Sequence, residues 1–361
     1  MRTTVATFHN LLEPEGLIRH FQENPPQDFE VLDLEWGLPA FSTRFDLFTT
    51  IDPAIRRRLD RVPLLPRSRS LLRANSCFIG TTVSEYVLFP GAAASGDLVR
   101  AITALTPRYP LVIVKDLPTE AILVGDQALA VSRAVSDACR SAGFVLVDGQ
   151  ALAYVPIDFL SIEEFLAGRS EARRKNIRRK LRSRAALQVD AIPTGDAKFR
   201  DSGFLETMYA LYLNVYQQSE VHFDLLTPSF FRAVLQDGTI EGIVFTYRSG
   251  GQLIGYNICV CQNDRLIDKY VGFAYPAARE HNLYAVSWFR NLEYALERGF
   301  RQYVAGWTDP EVKRTLGARF TFTQHAVSVR NPLVRTLMKP FKRFFESDRE
   351  WRAGHVTRTD P

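Results

Sequence analysis

Residues Asp268–Phe322, DKYVGFAYPAAREHNLYAVSWFRNLEYALERGFRQYVAGWTDPEVKRTLGARFTF, read as strand, tight entry, helix, strand, short helix and strand. After His281-Asn282, the apolar residues Leu283, Val286, Phe289, Leu292 and Leu296 recur on one 3.6-residue face. That helix stops at Gly299, where a left-handed C′ position favours glycine. Tyr303–Ala305 follows as a short buried strand. Pro310 opens a second helix that ends at Gly317, and a last strand runs from Arg319 to Val329. A strand feeding a helix N-terminus offers free backbone N–H groups to an anion such as a pyrophosphate. The geometry suits a ligand such as an acyl-coenzyme A.

Working outward, three strands precede this stretch or open it: Gly242–Tyr247, Gln252–Cys261 and Leu266–Phe273. Ser249-Gly-Gly251 and Asn263-Asp264 stand where hairpin turns belong. Before them the spacing predicts an apolar helix over Gly203–Ser219 (Phe204, Met208, Leu211, Val215) and another over Thr227–Leu235. The first half alternates too, with strands expected at Ser84–Phe89, Leu111–Val114, Ala121–Val124 and Phe144–Val147. Helices are expected over Asp97–Leu105 and Ala128–Ser141, the second closed by Gly143. Ser161-Ile-Glu-Glu164 fits a capping box. The pattern is α/β (mixed α+β), with no 20–50-residue repeat in the letters.

A chain of 361 residues is about right for two domains, and 46% hydrophobic residues can bury large cores. The expected division is 1–160, 161–335 and a basic amphipathic tail, 336–361. In the first 70 residues only the proline joints Pro25-Pro26 and Pro63–Pro66 stand out. The tail region, with Leu333, Leu337, Phe341, Phe344 and Phe345 among Arg335, Lys339, Lys342 and Arg343, reads as packing back on the domain or touching a membrane surface. No apolar run reaches the length of roughly 18 residues that spans a bilayer, and the start lacks a signal-type apolar core. Cytoplasm is the expected compartment. Cys77, Cys139, Cys259 and Cys261 form neither a CxxC pair nor a disulfide framework; Cys259 and Cys261 read as small core residues.

The net charge of +5 is unevenly spread. Arg169–Arg184 holds nine basic residues against the single acid Glu171, a local +8 that leaves the rest of the chain at −3. The segment reads either as a solvated linker helix or as a polyanion contact. Its apolar stripe of Ala172, Ile177, Leu181 and Ala185 is thin, and no standard nucleic-acid module surrounds it.

Three words in the opening stretch resemble the C-terminal half of a GNAT-type N-acyltransferase, in the FemAB-like (BioF2-like) branch with two such domains in tandem. They are Tyr270-Val-Gly272 before the turn, His281-Asn-Leu-Tyr284 at the helix start, and Val312-Lys-Arg-Thr-Leu-Gly-Ala-Arg319 before the last strand. Val114-Lys-Asp-Leu-Pro118 and Arg173-Arg-Lys-Asn-Ile-Arg-Arg179 are similar to the same branch, so the resemblance covers about residues 75–335. It implies two GNAT-like domains, each a mixed, mainly antiparallel sheet flanked by helices. It also implies acyl transfer from an acyl-CoA or an acyl carrier protein thioester to a small-molecule or peptide amine. Where most such proteins carry a glycine-rich turn, this chain has Arg279-Glu-His-Asn282, and part of the branch takes aminoacyl-tRNA instead. A carrier or tRNA would use Arg169–Arg184. A non-catalytic scaffold binding an acidic ligand or RNA through that helix is the reading from another class.

N-acyl transfer needs a cradle for the donor, donors for a developing oxyanion and a route for the amine proton. Positioning supplies most of the rate; GxSxG, HExxH and P-loop words are absent. Arg279 and the amides of Asn282, Leu283 and Tyr284 are expected to hold the donor, with Lys313 near it; helix-end charge is the bland reading of Lys313. Asp268 and Tyr270, two apart on a strand, are expected on one face as an amine-holding relay. His281 is the other candidate base. Glu220, His222 and Asp224 would share a face if extended and would attract a cationic amine; no second cluster supports a metal. Trp307, at a strand end, is expected at the substrate cleft.

Overall fold

A computed structural model describes residues 8–46, 73–219 and 222–330. Glu220 and the tail 336–361 therefore lie outside the described residues. In chain order the elements are β1 (Phe8–His9), α1 (Glu15–Glu23), β2 (Glu30–Leu32), β3 (Ala40–Asp46), β4 (Arg73–Ile79), β5 (Phe89–Pro90), α2 (Ser95–Thr103), β6 (Leu111–Pro118), α3 (Asp126–Ser141) and β7 (Val145–Pro156). There follow α4 (Ile162–Ala167), α5 (Glu171–Leu181), β8 (Gln188–Pro193), α6 (Ser202–Gln218), α7 (Pro228–Gln236), β9 (Gly242–Ser249), β10 (Gln252–Gln262) and β11 (Arg265–Phe273). The last are α8 (Ala277–Glu280), α9 (Leu283–Glu297), β12 (Gln302–Gly306), α10 (Pro310–Leu316) and β13 (Arg319–Val329).

The described residues form two compact units: 8–12, 28–46, 73–151 and 321–330 in the first, and 13–27, 152–219 and 222–320 in the second. A linear cut at residue 160 does not express this interleaving. The N-terminal helix α1 belongs to the second unit, and β13, expected at the end of the C-terminal domain, enters the first from Thr321 and pairs antiparallel with β6.

In the first unit β2, β3 and β4 run antiparallel, α2 follows, and β6 returns parallel to β4 before α3 and β7. Its core gathers Cys77, Ile79, Leu98, Ile102, Val112, Val114, Val135 and Cys139. Two expected strands are turns. Thr81 Oγ1 accepts the N–H groups of Val83 and Ser84, so the hydroxyl winds the chain and leaves only Phe89–Pro90 extended. Likewise the Gly125 N–H bonds back to Ala121 O at 2.7 Å, closing Ala121–Val124 into a turn ahead of α3.

The second unit repeats that order. β9, β10 and β11 run antiparallel, α9 follows, β12 returns parallel to β11, and α10 comes next. β8 flanks β9, and the second half of β7 flanks β12. The same three-strand, helix, strand, helix order thus occurs twice with no shared motif, giving the tandem mixed α/β architecture. The apolar stripe of α9 is buried through Leu283, Val286, Phe289 and Leu292 against Phe245, Leu266, Tyr303 and Phe165. Each large apolar side chain so covered contributes about 1.5–3 kcal/mol. On the opposite side α6 packs on β11 and β10, α7 on α6, and α1 on α7.

Glycine at 272 is required by a close approach. A Cβ there would lie 2.3 and 2.6 Å from two ring carbons of Tyr256 and 2.9 Å from Leu211 Cβ. Tyr256 is fully buried and cannot swing clear. Gly272→Ala is expected to cost about 1–3 kcal/mol, read as a lower denaturant midpoint at unchanged slope; a parental midpoint would show that the ring and α6 yield freely.

Candidate active site

The pairing of the parallel strands β11 and β12 covers only Arg265–Ile267 against Gln302–Val304, although β11 continues to Phe273 and β12 to Gly306. The strands part at Asp268. There β11 also carries an extra residue: Cys259 pairs with Asp268 while the adjacent Ile258 pairs with Tyr270, so Lys269 is a β-bulge. The bulge corrects the expectation that Asp268 and Tyr270 share a face. Each bulged residue shifts the alternation by one, and the two side chains point to opposite sides of the sheet. Asp268 faces α9; Tyr270 packs with Phe230 and Phe231 of α7, at 5.9 and 5.8 Å between ring centroids. The Asp268–Tyr270 relay does not exist.

What Asp268 meets instead is a directional chain of donors. Tyr247 Oη donates to Asn257 Oδ1 (2.8 Å), Asn257 Nδ2 to Asn291 Oδ1 (2.7 Å), and Asn291 Nδ2 to Asp268 Oδ2 (3.0 Å). Tyr303 Oη donates to the same Oδ2 at 3.0 Å, and Cys259 Sγ lies 3.7 Å from Oδ1. Tyr247, Asn257, Cys259, Asn291 and Tyr303 are all buried. Burial raises the Asp268 carboxyl to about 6, against the pull of the Tyr303 hydroxyl and the Lys313 charge. Burial, with the Asp268 charge beside it, pushes the Tyr303 phenol well above its ordinary range, so it stays a donor. Lys313 is buried, its Nζ donating to Ala305 O at 2.6 Å near the place where the ladder ends. Cys259 and Cys261 are buried thiols, the core residues expected of them.

Beyond the parting, a cavity of about 390 Å³ opens at the head of α9. Arg279, Asn282 and Tyr284 line it, joined by Lys180 of α5, Phe273 at the end of β11 and Asp309 before α10. Asn282 does not cap α9 with its side chain. Its backbone is left-handed (φ 51°), and its Nδ2 donates to Ser183 Oγ at 2.9 Å. Asparagine tolerates that conformation better than other non-glycine residues, so it serves where a glycine-rich turn was missing. The Asn282 N–H bonds Arg279 O at 3.1 Å and the Ala285 N–H bonds Asn282 O at 3.0 Å, which leaves the Leu283 and Tyr284 amides as the first-turn groups without an acceptor within the helix. Arg279 lies over the Tyr275 ring and bonds Gln218.

Other expected residues fall elsewhere. Leu283 offers only its backbone, since its side chain is wholly in the core. His281 ends α8 and is not among the cavity's lining residues; neither is Trp307. His222 and Asp224 sit in an irregular loop, not a strand. That loop is held in place: Tyr209 Oη donates to Leu226 O (2.9 Å), Tyr212 Oη takes the Leu226 N–H (3.1 Å), and the Gln27 N–H bonds Leu225 O (2.8 Å). His222 meets the Tyr216 ring edge-on at 4.9 Å. Among the described residues no three His, Cys, Asp or Glu side chains gather as a metal site.

The basic segment divides in two. Arg169 bonds Gly317 O, Arg174 bonds Arg169 O, Arg178 pairs with Glu163, Arg179 bonds Asn176, and Arg184 grips both Glu293 oxygens at 2.7 Å. These cations fasten α5 and its flanks. Sequence reading missed Tyr303, Asn291 and Asn257 as site residues, and held Lys180 only as one of the nine cations of Arg169–Arg184. The two asparagines were visible as polar letters inside apolar runs.

Residues 171–314 match the family described as acetyltransferase (GNAT) domain. No curated protein matches the chain. Among solved structures it is similar to the C-terminal domain of a protein described as a lysylphosphatidylglycerol synthetase from Agrobacterium fabrum, at 11% identity and TM-score 0.54, covering 90% of this chain and 88% of that one. L-PGS from Bacillus licheniformis is similar at 10% identity and TM-score 0.54, covering 94% and 98%. FemX aligns at 11% identity and TM-score 0.49, over 89% and 93%. At such identities the likeness is one of fold. Residues 171–314 are thereby an acetyltransferase (GNAT) domain, which makes the chain an acyltransferase.

Proposed function

We propose that the chain is an N-acyltransferase moving an acyl group from an acyl-CoA, or a similar thioester, to an amine. The observation carrying this reading is the parting of β11 and β12 at Asp268, with the cation-lined cavity at the head of α9 further along β11. The residues present fit such a donor. Arg279 and the free amides of Leu283 and Tyr284 suit its phosphates, and the parted strands leave backbone groups unpaired for its amide-bearing arm. Asp268 accepts the amine proton as the C–N bond forms and the C–S bond breaks. Tyr303 and Asn291 hold its carboxylate, and Lys313 balances its charge. Tyr270, Phe230, Phe231 and the pinned 222–226 loop lie on the opposite side of the sheet from Asp268 and take no part in this step. His281 and Trp307 are left no role. The compartment suited to these donors is the cytoplasm.

A second reading, aminoacyl transfer from aminoacyl-tRNA, draws on the cations of α5. It would break a C–O ester in place of the thioester.

Melting the protein with a panel of acyl-CoAs and with charged tRNA separates the two. A donor at 100 times its Kd stabilises by about 2.7 kcal/mol, which is several degrees for a unit of this size. The expected outcome is a shift with at least one acyl-CoA and amine-dependent thiol release. No shift with any thioester, beside a salt-sensitive shift with charged tRNA, would transfer the conclusion to the second reading. No shift with either would end both.

A further inference from the structure

Beside the donor cavity lies a second one of about 430 Å³, between α5 and α10. The two share Lys180 and Leu316 in their walls, so they are neighbours. Arg173, Asn176, Ile177 and Lys180 face the second, spaced i, i+3, i+4 and i+7 on one side of α5. Ile177 is buried as its floor, and the two cations stand about 10 Å apart along the axis. No acid lines this second cavity. Unlike Arg169, Arg174, Arg178 and Arg184, neither Arg173 nor Lys180 makes a side-chain hydrogen bond or ion pair among the described residues. Holding Arg173 near Arg169 is itself unfavourable, since each charge opposes the other. Lys175 and Arg182 make none either, but neither lines the groove between α5 and α10, whereas Arg173 and Lys180 do.

We infer that the α5–α10 groove holds a second phosphate of the donor, beyond the group at the head of α9, and that Arg173 and Lys180 are its ligands. The inference rests on the donor reading above and names what lies past its first phosphates. The shared chemistry is a phosphorylated adenosine, which ends both coenzyme A (as its 3′-phosphate) and a tRNA acceptor strand (as its last phosphodiesters). α5 precedes β8 in the chain, so the groove adds to the repeated strand–helix core a wall that the core itself does not supply.

Titration calorimetry on the full chain tests this with three probes: coenzyme A, dephospho-coenzyme A, and an RNA minihelix ending in CCA. The variants are Arg173→Ala/Lys180→Ala together, and Arg178→Ala as a control whose cation is paired with Glu163 at the exposed surface. If the source is the coenzyme, the parent binds coenzyme A about tenfold tighter than its dephospho form, and the double variant binds both alike. If it is the RNA, the two coenzymes bind alike. The minihelix is then weakened about tenfold or more in the double variant, and its log–log salt slope falls by about two. A parent that binds a probe, with a double variant that binds it as tightly and with the same slope, overturns the groove and leaves the donor reading standing. An equal loss in Arg178→Ala also overturns it, by showing a general charge effect. A parent that binds none of the three removes the donor reading and this inference together.

Discussion

Asp268→Asn should leave a protein at least as stable as the parent at neutral pH and slower in transfer by about 10²–10⁴-fold, the range for losing a positioned proton acceptor. Both halves follow from the donors around the carboxyl. Oδ2 takes Tyr303 and Asn291, and Oδ1 takes only the weak Cys259 thiol. An asparagine with its oxygen at the Oδ2 position keeps the two strong bonds and turns its amide toward sulfur. What it loses is the buried negative charge and the ability to take a proton. Parental turnover in this variant would remove Asp268 from the chemistry.

The pH dependence supplies an independent check. The carboxyl is raised to about 6 in the folded chain, from an ordinary value near 4. Its deprotonated form is the active one, so transfer should fall as pH drops below about 6, and that limb should vanish in Asp268→Asn. For stability the sign is opposite. Between about pH 4 and 6 the folded state holds a proton that the unfolded chain has released, so stability is full below pH 4 and declines as pH rises to 6. The difference is about 3 kcal/mol, and Asp268→Asn should flatten it. A parent whose melting temperature is level across pH 4–6 would contradict the buried charge.

The elements around this site were readable because their signals are local. A 3.6-residue stripe, a glycine after the last turn and a proline at the first helical position set α9 and α10, and β13 begins and ends where the letters placed it. The face of Asp268 was not readable. A bulge at Lys269 needs no glycine and leaves no mark in the strand's composition, yet it moves Tyr270 to the other side. Nor could spacing show that Tyr303 and Asn291, 35 and 23 residues away, converge on one carboxylate. Only the packing of α9 over β11 and β12 brings them there. The charge count of α5 was visible in the sequence, but its division into anchors and unpaired cations depends on Gly317, Glu163 and Glu293, which lie on other elements.

Glu13→Ala should destabilise the second unit by about 3–5 kcal/mol, the largest loss of stability expected from a single substitution here. Glu13 is wholly buried ahead of α1, and its Oε1 receives Lys269 Nζ at 3.2 Å; the Lys269 side chain is 6% exposed. The bulge that re-aims Tyr270 is therefore tied to a residue 256 positions earlier in the chain. Removing the carboxylate takes away the acceptor that meets Lys269 at 3.2 Å in a place with little water, and the cost is mostly desolvation left uncompensated, not the worth of the pair. Glu13→Leu combined with Lys269→Met should recover most of the loss, because two apolar side chains of similar volume need no partner. Thermal melts of the parent, both single variants and the double variant close the cycle. Recovery in the double variant would show that α1 docks by packing, with Arg19 and His20 on Asp237 as its second tie. A double variant as unstable as Glu13→Ala would mean that the pair itself holds the bulge open, and transfer should then fall with stability in both.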